Sequence, residues 1–392
     1  MVSRSPLTLA TFLHTFLPTP TLYYVTNILA IQGPTTFVYR LALLPFTSWM
    51  IYRALVSLDF ATAIFPADPS KFHYLNQGLA LAMFVAFARV LARTFTSQTP
   101  QRRPTSPPTT QQLALDAADL TFNLRAIGWN FTATMKVPAP TRPLTPTSAF
   151  VAATVKSLSI HILAFDCMHY VCQLIVASGA SIYDPTVSNL TARNLHATIL
   201  TILTGLCIYT AVKIGSDLLT LVGVTVLRQP PSQWPPLFDA PWLATSLTEF
   251  WAVRWHQLFR QDFLFCGAIP FGRLFGRPGS VLGAFLVSGA LHFVGLWGMG
   301  TGWDVRVVYF FLMMGVGVIL EGFWRRLTGK RVGGRVGWVW TFGWIVGWGP
   351  LFADPFCLSG IMDSVFLPHD LRPSVRLHSI AVTIIQSRFT SS

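Results

Sequence analysis

Two histidines are the residues of this 392-residue chain best suited to chemistry. His292 lies near the middle of the stretch 280–303, which contains no Lys, Arg, Asp or Glu. An imidazole at hydrocarbon depth is unfavourable unless it has a partner or lines a cavity, so a functional role, such as moving a proton, is the first hypothesis. The alternative is a packing histidine whose hydrogen bonds are satisfied. The role of the second histidine, His256, has to be interpreted from the element that carries it.

A stretch with the pattern of an amphipathic helix carries His256. Ser246 and Glu249 have the spacing of a capping box, in which Ser246 caps the helix and Glu249 reaches back. Behind this cap, apolar residues recur at helical spacing. A basic, tryptophan-rich helix that is too polar to span should lie in the membrane interface, where anchoring without chemistry is the alternative role. The apolar stripe is Leu247, Trp251, Trp255, Leu258 and Phe259, and the residues largely off it are Arg254, His256, Gln257, Arg260 and Gln261.

The composition places these elements in a membrane. Hydrophobic residues make up 52% of the chain and charged residues 11%, against about 25% charged in soluble proteins. So few charges cannot cover the surface of a soluble globule, and the same numbers exclude a disordered chain, a coiled coil and a disulfide-rich module. The five cysteines are scattered singly and are expected to be small core residues rather than zinc ligands.

We therefore predict an all-α polytopic membrane protein with about eight transmembrane helices plus the amphipathic interfacial helix. A span needs about 20 apolar residues. The chain, 1–392, is expected to form a single integral-membrane domain without a cleavable signal peptide. The apolar windows are 21–31, 41–52, 72–90, 157–183, 195–212, 280–303, 307–320 and 336–353.

The charge that is present is mostly positive, with 28 Lys and Arg against 15 Asp and Glu. The excess is concentrated in three alternate loops, 93–147, 228–277 and 325–335. Basic loops are retained on the cytosolic side, so we expect these three to be cytosolic. Part of the first, about 95–148, is rich in proline and is expected to be a flexible loop. This distribution explains the basic excess by membrane topology, so a nucleic-acid partner is not needed to account for it.

Taken together, the two histidine segments resemble the fungal branch of the membrane-bound O-acyltransferase superfamily. They are similar to its wax-synthase-like group, which includes acetyltransferases of terpenoid and meroterpenoid biosynthesis. The signatures are FWAVRWHQ at 250–257 and SGALH at 288–292, with RAIGW at 125–129 as a shorter upstream match. The resemblance is specific over 234–297 and rests on hydropathy alone in the N-terminal third. In plant relatives the position of His256 is typically Asn.

The resemblance implies a CoA-dependent enzyme that transfers an acyl group, expected to be acetyl, to a hydroxyl of a terpenoid or meroterpenoid. His292 is then the general base, and His256 orients or polarises the acyl donor. Acetyl-CoA or another acyl-CoA is the co-substrate, and no bound cofactor or metal is expected. The expected partners are acyl-CoA, a hydrophobic alcohol and the lipid bilayer, in the endoplasmic reticulum with cytosolic catalytic loops. The predicted substrate- and CoA-binding residues are Arg254, Trp255, Gln257, Arg260 and Ser288, and Arg273 and Arg277 are further candidates for the CoA phosphates.

Two other functions fit a polytopic chain. A transporter of a lipophilic metabolite predicts internal repeats, and none is visible in the sequence. An integral-membrane terpene cyclase needs a buried acid, for which Asp166 and Glu321 are candidates. Both acids have simpler interpretations, because Asp166 is spaced to pair with His169 and Glu321 to pair with Arg325.

Two further patterns have structural and functional interpretations. Lys213 and Asp217 are four residues apart and are expected to pair. Four tryptophans crowd the window 336–353 among several glycines. They predict close packing and interfacial anchoring, with an aromatic wall for a polycyclic acceptor as the alternative. These tryptophans are Trp338, Trp340, Trp344 and Trp348.

Overall fold

The computed structural model describes residues 4–102, 110–133, 135–177, 179–300, 302–377 and 379. Two short strands, β1 (Ser5–Pro6) and β2 (Leu58–Asp59), pair in parallel, and helices make up most of the rest. The helices are α1 (Leu9–Thr11), α2 (Pro18–Ile31), α3 (Phe37–Ser57), α4 (Phe60–Ile64), α5 (Tyr74–Phe95), α6 (Thr110–Phe122), α7 (Thr147–Ile175), α8 (Leu190–Leu221), α9 (Leu247–Glu249), α10 (Arg260–Phe263), α11 (Ile269–Gly298), α12 (Arg306–Thr328), α13 (Gly334–Trp348) and α14 (Pro350–Leu358).

Long apolar helices confirm the prediction of an all-α, multi-pass membrane protein. Every predicted apolar window overlaps one or more of the helices. The count of eight spans stays a prediction, because length and composition qualify five helical segments of the described chain. These are Pro69–Phe95, Thr147–Ile175, Leu190–Val226, Arg260–Gly298 and Arg306–Thr328.

The stretch predicted as a flexible loop, 95–148, contains the helix α6. The sequence of α6 lacks proline and glycine. Its residues Ala117 and Leu120 lie about one turn apart and are buried. The indole of Trp129, which follows this helix, is also buried and donates to Asp119 at 2.7 Å. The loop prediction was therefore wrong for this part, while residues 103–109 and 134 lie outside the described residues.

The end of the predicted loop 228–277 is also helical. The chain then folds back on itself at Gly276. This glycine has a φ of 64°, which breaks α11 into two arms. The space left at other glycines shows how closely the arms approach: a Cβ added to Gly267 would lie 2.1 Å from the carbonyl oxygen of Gly283, and one added to Gly279 would lie 2.5 Å from that of Phe271. Residues 260–275 therefore pack antiparallel against residues 277–298, and the glycines make that packing possible.

The chain divides into two compact units, Met1–Lys136 with Ala240–Trp344, and Val137–Asp239 with Ile345–Ser392. The first unit holds both histidine segments. In the second, Cys172, Cys207 and Cys357 are buried in one apolar cluster with free thiols, as their sequence context predicted. The prediction of one domain over 1–392 stays a prediction.

The second unit also decides two predicted side-chain pairs. Lys213 contacts the carboxylate of Asp217 at 2.6 Å, so that pair is confirmed. The pair of Asp166 with His169 was wrong, because Asp166 accepts from the Nε of Arg372 at 2.6 Å. The ring of His169 instead stacks on Phe165. An arginine more than 200 positions away outcompetes the nearby imidazole, and local spacing cannot reveal it.

Candidate active site

The hairpin at Gly276 brings the two histidine segments to the same level. Gly267 faces Gly283, and Phe271 faces Gly279. In this antiparallel register, moving one residue forward along one arm corresponds to moving one residue back along the other. The arm before the turn begins at Arg260, four residues after His256, so the hairpin carries that segment back toward the level of His292. His292 is also close enough to His256 for its charge to act on that imidazole. Histidines that are 36 positions apart in sequence are therefore neighbours in space.

His256 lies in a break between two helices rather than within one. The helix that begins at Leu247 closes with a π-turn, in which the N–H of Trp255 donates to the carbonyl of Phe250 at 2.8 Å. Trp255 is extended, with ψ at 154°, and the next helix begins at Arg260. The prediction of one amphipathic helix through Arg260 was therefore wrong beyond Arg254.

Gln257 stabilises this break. Its side-chain amide is buried and donates to the carbonyls of Trp251 and Trp255, at 2.9 and 2.8 Å. These carbonyls would otherwise lack partners at the end of the helix. The Gln257 amide thus caps the end of this helix, and its contact with a substrate stays a prediction.

The start of the same helix is held by two carboxylates. Ser246 caps it as predicted, accepting from the N–H of Glu249 at 3.0 Å. Glu249 reaches back to Thr245, whose N–H it accepts at 2.8 Å, rather than to Ser246. It also binds the Nε of Arg254 at 2.7 Å. Burial alone would raise the pKa of the Glu249 carboxyl. These hydrogen bonds outweigh burial, so the pKa lies below its usual value.

Glu321 is the second carboxylate. It is buried on α12 and accepts the N–H groups of Leu247 and Thr248, at 2.6 and 3.0 Å. It also accepts from the Thr248 hydroxyl and from the indole of Trp340. The predicted pair of Glu321 with Arg325 was wrong, because four donors converge on this carboxylate. A negative charge at a helix N-terminus is favourable for the helix dipole as well.

The ring of His292 is fixed by a neighbouring aromatic residue. It stacks face to face on Phe311 of α12, with centroids 4.7 Å apart and planes 6° from parallel. Phe311 is buried and also contacts Trp251, at 6.1 Å between ring centroids. One ring therefore joins His292 to the segment that carries His256.

Small residues beside His292 serve helix packing. A Cβ on Gly289 would lie 3.0 Å from the Cα of Val308, and one on Gly295 would lie 2.9 Å from the side chain of Leu81. These glycines therefore allow α12 and α5 to approach the helix that carries His292 closely.

Two polar groups near His292 remain available to a ligand. Ser288 lies one turn before His292, and its largely buried hydroxyl makes no hydrogen bond within the described residues. The indole Nε1 of Trp251 is buried and has no acceptor in the same part of the chain. Buried donors are usually satisfied, so these two are candidates for contact with a substrate.

His256 itself is held in its neutral form. Burial of the imidazole, reinforced by repulsion from His292, lowers the pKa of His256 to about 3. Its ring centroid also lies 5.5 Å from that of Trp255 and 6.3 Å from that of Phe259. A neutral imidazole among aromatic rings can donate one hydrogen bond and accept another.

The predicted arginine ligands differ in availability. Arg254 is engaged with Glu249. Arg260 is partly buried, and its side chain has no hydrogen bond or ion pair within the described chain. Arg273 and Arg277 are exposed beside the turn of the hairpin. Arg260 therefore has no partner within the described chain. Of the unpaired arginines that were predicted to bind CoA, it is the nearest to His256 in sequence.

The predicted aromatic wall has packing partners in this structure. The indole of Trp338 donates to the carbonyl of Trp242 at 3.0 Å, and that of Trp344 to the carbonyl of Met313 at 2.9 Å. Trp340 is bound to Glu321. These hydrogen bonds support the packing interpretation of the tryptophans.

The roles of two residues that shape the site were not predicted from the sequence. Phe311 lies in an apolar helix among other phenylalanines, so nothing in the sequence marks it. Glu321 had one usable signal, since an acid that ends an apolar stretch needs a buried partner. Its backbone partners, Leu247 and Thr248, lie more than 70 positions earlier and cannot be read from local spacing.

Comparison with known proteins gives one family. Residues 234–313 match the membrane bound O-acyl transferase family. This region contains both histidines, Glu249 and Phe311, and it covers about a fifth of the chain.

Individual relatives are fungal. The chain is similar to acetyltransferase spyB of Aspergillus fumigatus, with 29% identity over 38% of this chain and 30% of that protein. It is similar to acetyltransferase eriL of Hericium erinaceus, with 28% identity over 41% and 46%. O-Mevalon transferase yanI of Aspergillus niger matches over 64% of this chain and 63% of its own length, at 27% identity. The matches thus span less than two thirds of each of these relatives.

Proposed function

Because residues 234–313 match the membrane bound O-acyl transferase family, we propose that this chain transfers an acetyl group from acetyl-CoA to a hydroxyl of a terpenoid or meroterpenoid. The observation that carries the proposal is that His256 lies close enough to His292 for the charge of one imidazole to act on the other. Relatives named acetyltransferases support the acetyl donor.

His292 acts as the general base. One ring nitrogen accepts the proton of the acceptor hydroxyl while the oxygen attacks the thioester carbonyl. The tetrahedral intermediate then collapses, the carbon–sulfur bond breaks, and the protonated imidazole returns its proton to the leaving thiolate of CoA. Such catalysis contributes about 10²–10⁴-fold to the rate. The stack on Phe311 supports this role because it fixes the direction of the ring.

His256 stabilises the negative charge that develops on the thioester oxygen. A neutral imidazole donates its N–H to that oxygen, and a donor already in place does not have to reorganise during the reaction. The indole N–H of Trp251, which has no acceptor in the described chain, is a second donor, and its ring contacts Phe311. Aromatic rings around both groups exclude water, which limits hydrolysis of the thioester.

The predicted binding residues divide into two groups under this proposal. Arg260 and Ser288 have polar groups left for substrate, so Ser288 contacts a substrate near the base and the guanidinium of Arg260 binds a polar group of CoA. Arg254, Trp255 and Gln257 act by holding the segment that carries His256.

Labelled acetyl-CoA tests the proposal directly. Microsomes that contain the full chain are incubated with radiolabelled acetyl-CoA and a panel of hydroxylated terpenoids, beside microsomes with His292→Ala. We expect a labelled ester with at least one alcohol and its loss in the variant. Saturable uptake of unmodified terpenoid with no ester formed would favour a transporter, and cyclisation of a linear terpenoid would favour a cyclase.

We also propose that the enzyme resides in the endoplasmic reticulum with its donor site facing the cytosol. The basic residues Arg273 and Arg277 at the hairpin turn support this orientation. A glycosylation acceptor tag inserted between them should stay unmodified in cells. Glycosylation of that tag would show that the orientation is inverted.

A further inference from the structure

Arg93, near the end of α5, is a cation whose side chain makes no hydrogen bond or ion pair within the described chain. Its side chain is partly exposed, and its Nε is buried without a hydrogen-bond partner. The guanidinium lies over the ring of Phe131, 4.3 Å from the centroid. Phe131 comes just after the RAIGW segment, which the catalytic proposal leaves without a role.

Within the described part of the chain, the one carboxylate that acts on Arg93 is bound by another arginine. Asp262 is buried and bound by Arg89 through Nε, at 3.3 and 3.4 Å to its two oxygens, and through a terminal nitrogen at 3.4 Å. Arg89 also donates to the carbonyl of Leu124. Asp262 lies within electrostatic range of Arg93, but two guanidinium groups share its single charge. This place in the first unit therefore has a local excess of positive charge.

The loop beside Arg93 is built rigidly. Ala126 has a φ of 48°, a conformation that non-glycine residues rarely adopt. Its N–H is bound by the side chain of Asn123, and its carbonyl by the hydroxyl of Thr132. Arg40, which is 1% exposed, donates to the carbonyl of Arg93 itself. Such support keeps the Arg93 backbone and the ring of Phe131 in fixed positions.

The position of Arg93 relative to His292 follows from helix register. On α5 and α11, Gln77 lies against Gly298, and Leu81 lies against Gly295, so the two helices are antiparallel. The same register places Arg93 level with Gly283. The nine-residue interval from Gly283 to His292 corresponds to about 13 Å along the helix axis, so Arg93 is displaced by that distance toward the hairpin turn.

From these observations we propose that Arg93, with Phe131 beneath it, binds a phosphate group of the CoA donor. The ligand identity rests on the proposed function, since acyl-CoA carries its phosphates at the far end of the long pantetheine arm from its thioester. With the thioester at His292, those phosphates need a cation that is displaced toward the proposed cytosolic side. A guanidinium suits this task because it forms strong hydrogen bonds with phosphate.

Binding of acetyl-CoA tests the proposal without knowledge of the acceptor. The purified full chain in neutral phosphatidylcholine nanodiscs is titrated with labelled acetyl-CoA, and the label is displaced by unlabelled CoA or by pantetheine, which has no phosphate. We expect Arg93→Gln to weaken CoA about tenfold and to leave pantetheine unchanged, because it removes a charge-assisted hydrogen bond. Arg93→Lys, which keeps the charge, should recover part of the loss.

Arg53→Gln serves as the matched control, because Arg53 is a partly buried arginine at the opposite end of α3 from Arg40. Its CoA affinity should equal that of the wild type. Equal weakening of CoA and pantetheine by Arg93→Gln, or no weakening of either, would overturn the proposal. An Arg93→Gln defect that appears only in nanodiscs with phosphatidic acid would also overturn it, by assigning Arg93 to a lipid headgroup.

The same titration separates this proposal from the catalytic one. Wild-type protein that binds CoA through Arg93 but acetylates no alcohol would leave the phosphate site standing and refute the acyltransferase. Where Arg93→Gln fails to fold, the comparison of Arg93→Lys with wild type, for CoA against pantetheine, decides the outcome. A selective loss of CoA affinity supports the site, and equal affinities refute it.

Discussion

The imidazole of His292 and the ring of Phe311 lie nearly parallel, 4.7 Å apart, although they come from different helices. Phe311 also contacts Trp251, in the segment that ends in His256. A hydrophobic side chain on α12 thus sets the direction of the imidazole and connects it with the second histidine. This makes Phe311 a positioning residue for the proposed base.

Replacement of Phe311 should therefore affect catalysis more than donor binding. We expect Phe311→Leu to lower kcat for acetyl transfer about ten- to hundredfold, since small displacements of a catalytic group have effects of this size. The KM for acetyl-CoA should change little. Phe323→Leu, on the exposed face of the same helix, is the control and should retain full activity. A folded Phe311→Leu variant with wild-type kcat would refute the positioning role.

Glu321 should be needed for the motif helix to keep its position. Glu321→Ala leaves the N–H groups of Leu247 and Thr248 without an acceptor, at a cost of about 1–3 kcal/mol for each buried group. We expect a lower thermal unfolding temperature and reduced kcat. Glu321→Gln keeps one oxygen and should lose less of both. Equal stability of Glu321→Ala and wild type, in the same detergent, would contradict this anchoring.

The glycine contact in the hairpin should be equally sensitive. A methyl group on Gly283 would lie 2.5 Å from the carbonyl oxygen of Gly267, and backbone cannot move aside cheaply. We expect Gly283→Ala to shift one arm, destabilise the protein and reduce acetyl transfer. Gly322→Ala is the matched control, because nothing in the described chain lies within 4 Å of its added methyl group. If both variants unfold at the same temperature, the close packing of the arms is wrong.

The sequence was most informative where partners are near in the chain. The Lys213–Asp217 pair and the Ser246 cap follow from spacing alone, and both occur. The apolar windows likewise identify helices, because hydropathy is a local property. The histidines were recognised by their type and their surroundings, although their proximity depends on the fold.

Contacts over long distances in sequence were not predictable in this way. Glu321 finds partners 73 and 74 positions away, and Asp166 binds an arginine 206 positions away. The break after Arg254 was also missed, because the apolar stripe continues through it. Helical periodicity does not show that Gln257 will satisfy the carbonyls at the break. Such competition between partners is decided by packing.

The low pKa of His256 has a consequence for stability. With a pKa of about 3 in the folded protein and about 6.5 when unfolded, this histidine binds a proton more readily in the unfolded state. Its contribution to stability is therefore complete above pH 6.5 and is lost as the pH falls from 6.5 toward 3. The loss reaches at most about 1.4 kcal/mol per pH unit.

Thermal unfolding of wild type and His256→Asn between about pH 8 and pH 5 measures this contribution. Wild type should lose stability more steeply below about pH 6.5, because asparagine does not titrate. Parallel curves for the two proteins would show that His256 does not have the depressed pKa. Catalysis that depends on neutral His256 should not show a titration of this residue above about pH 5.

The role of His292 is tested most directly by one comparison of rates. The rate of acetyl transfer from acetyl-CoA is measured for purified wild type, His292→Ala and His161→Ala, the last being a histidine of another membrane helix that binds the carbonyl of Ser157. A general base predicts a loss of about 10²–10⁴-fold for His292→Ala alone. A folded His292→Ala variant that transfers acetyl within about twofold of the wild-type rate would contradict the mechanism.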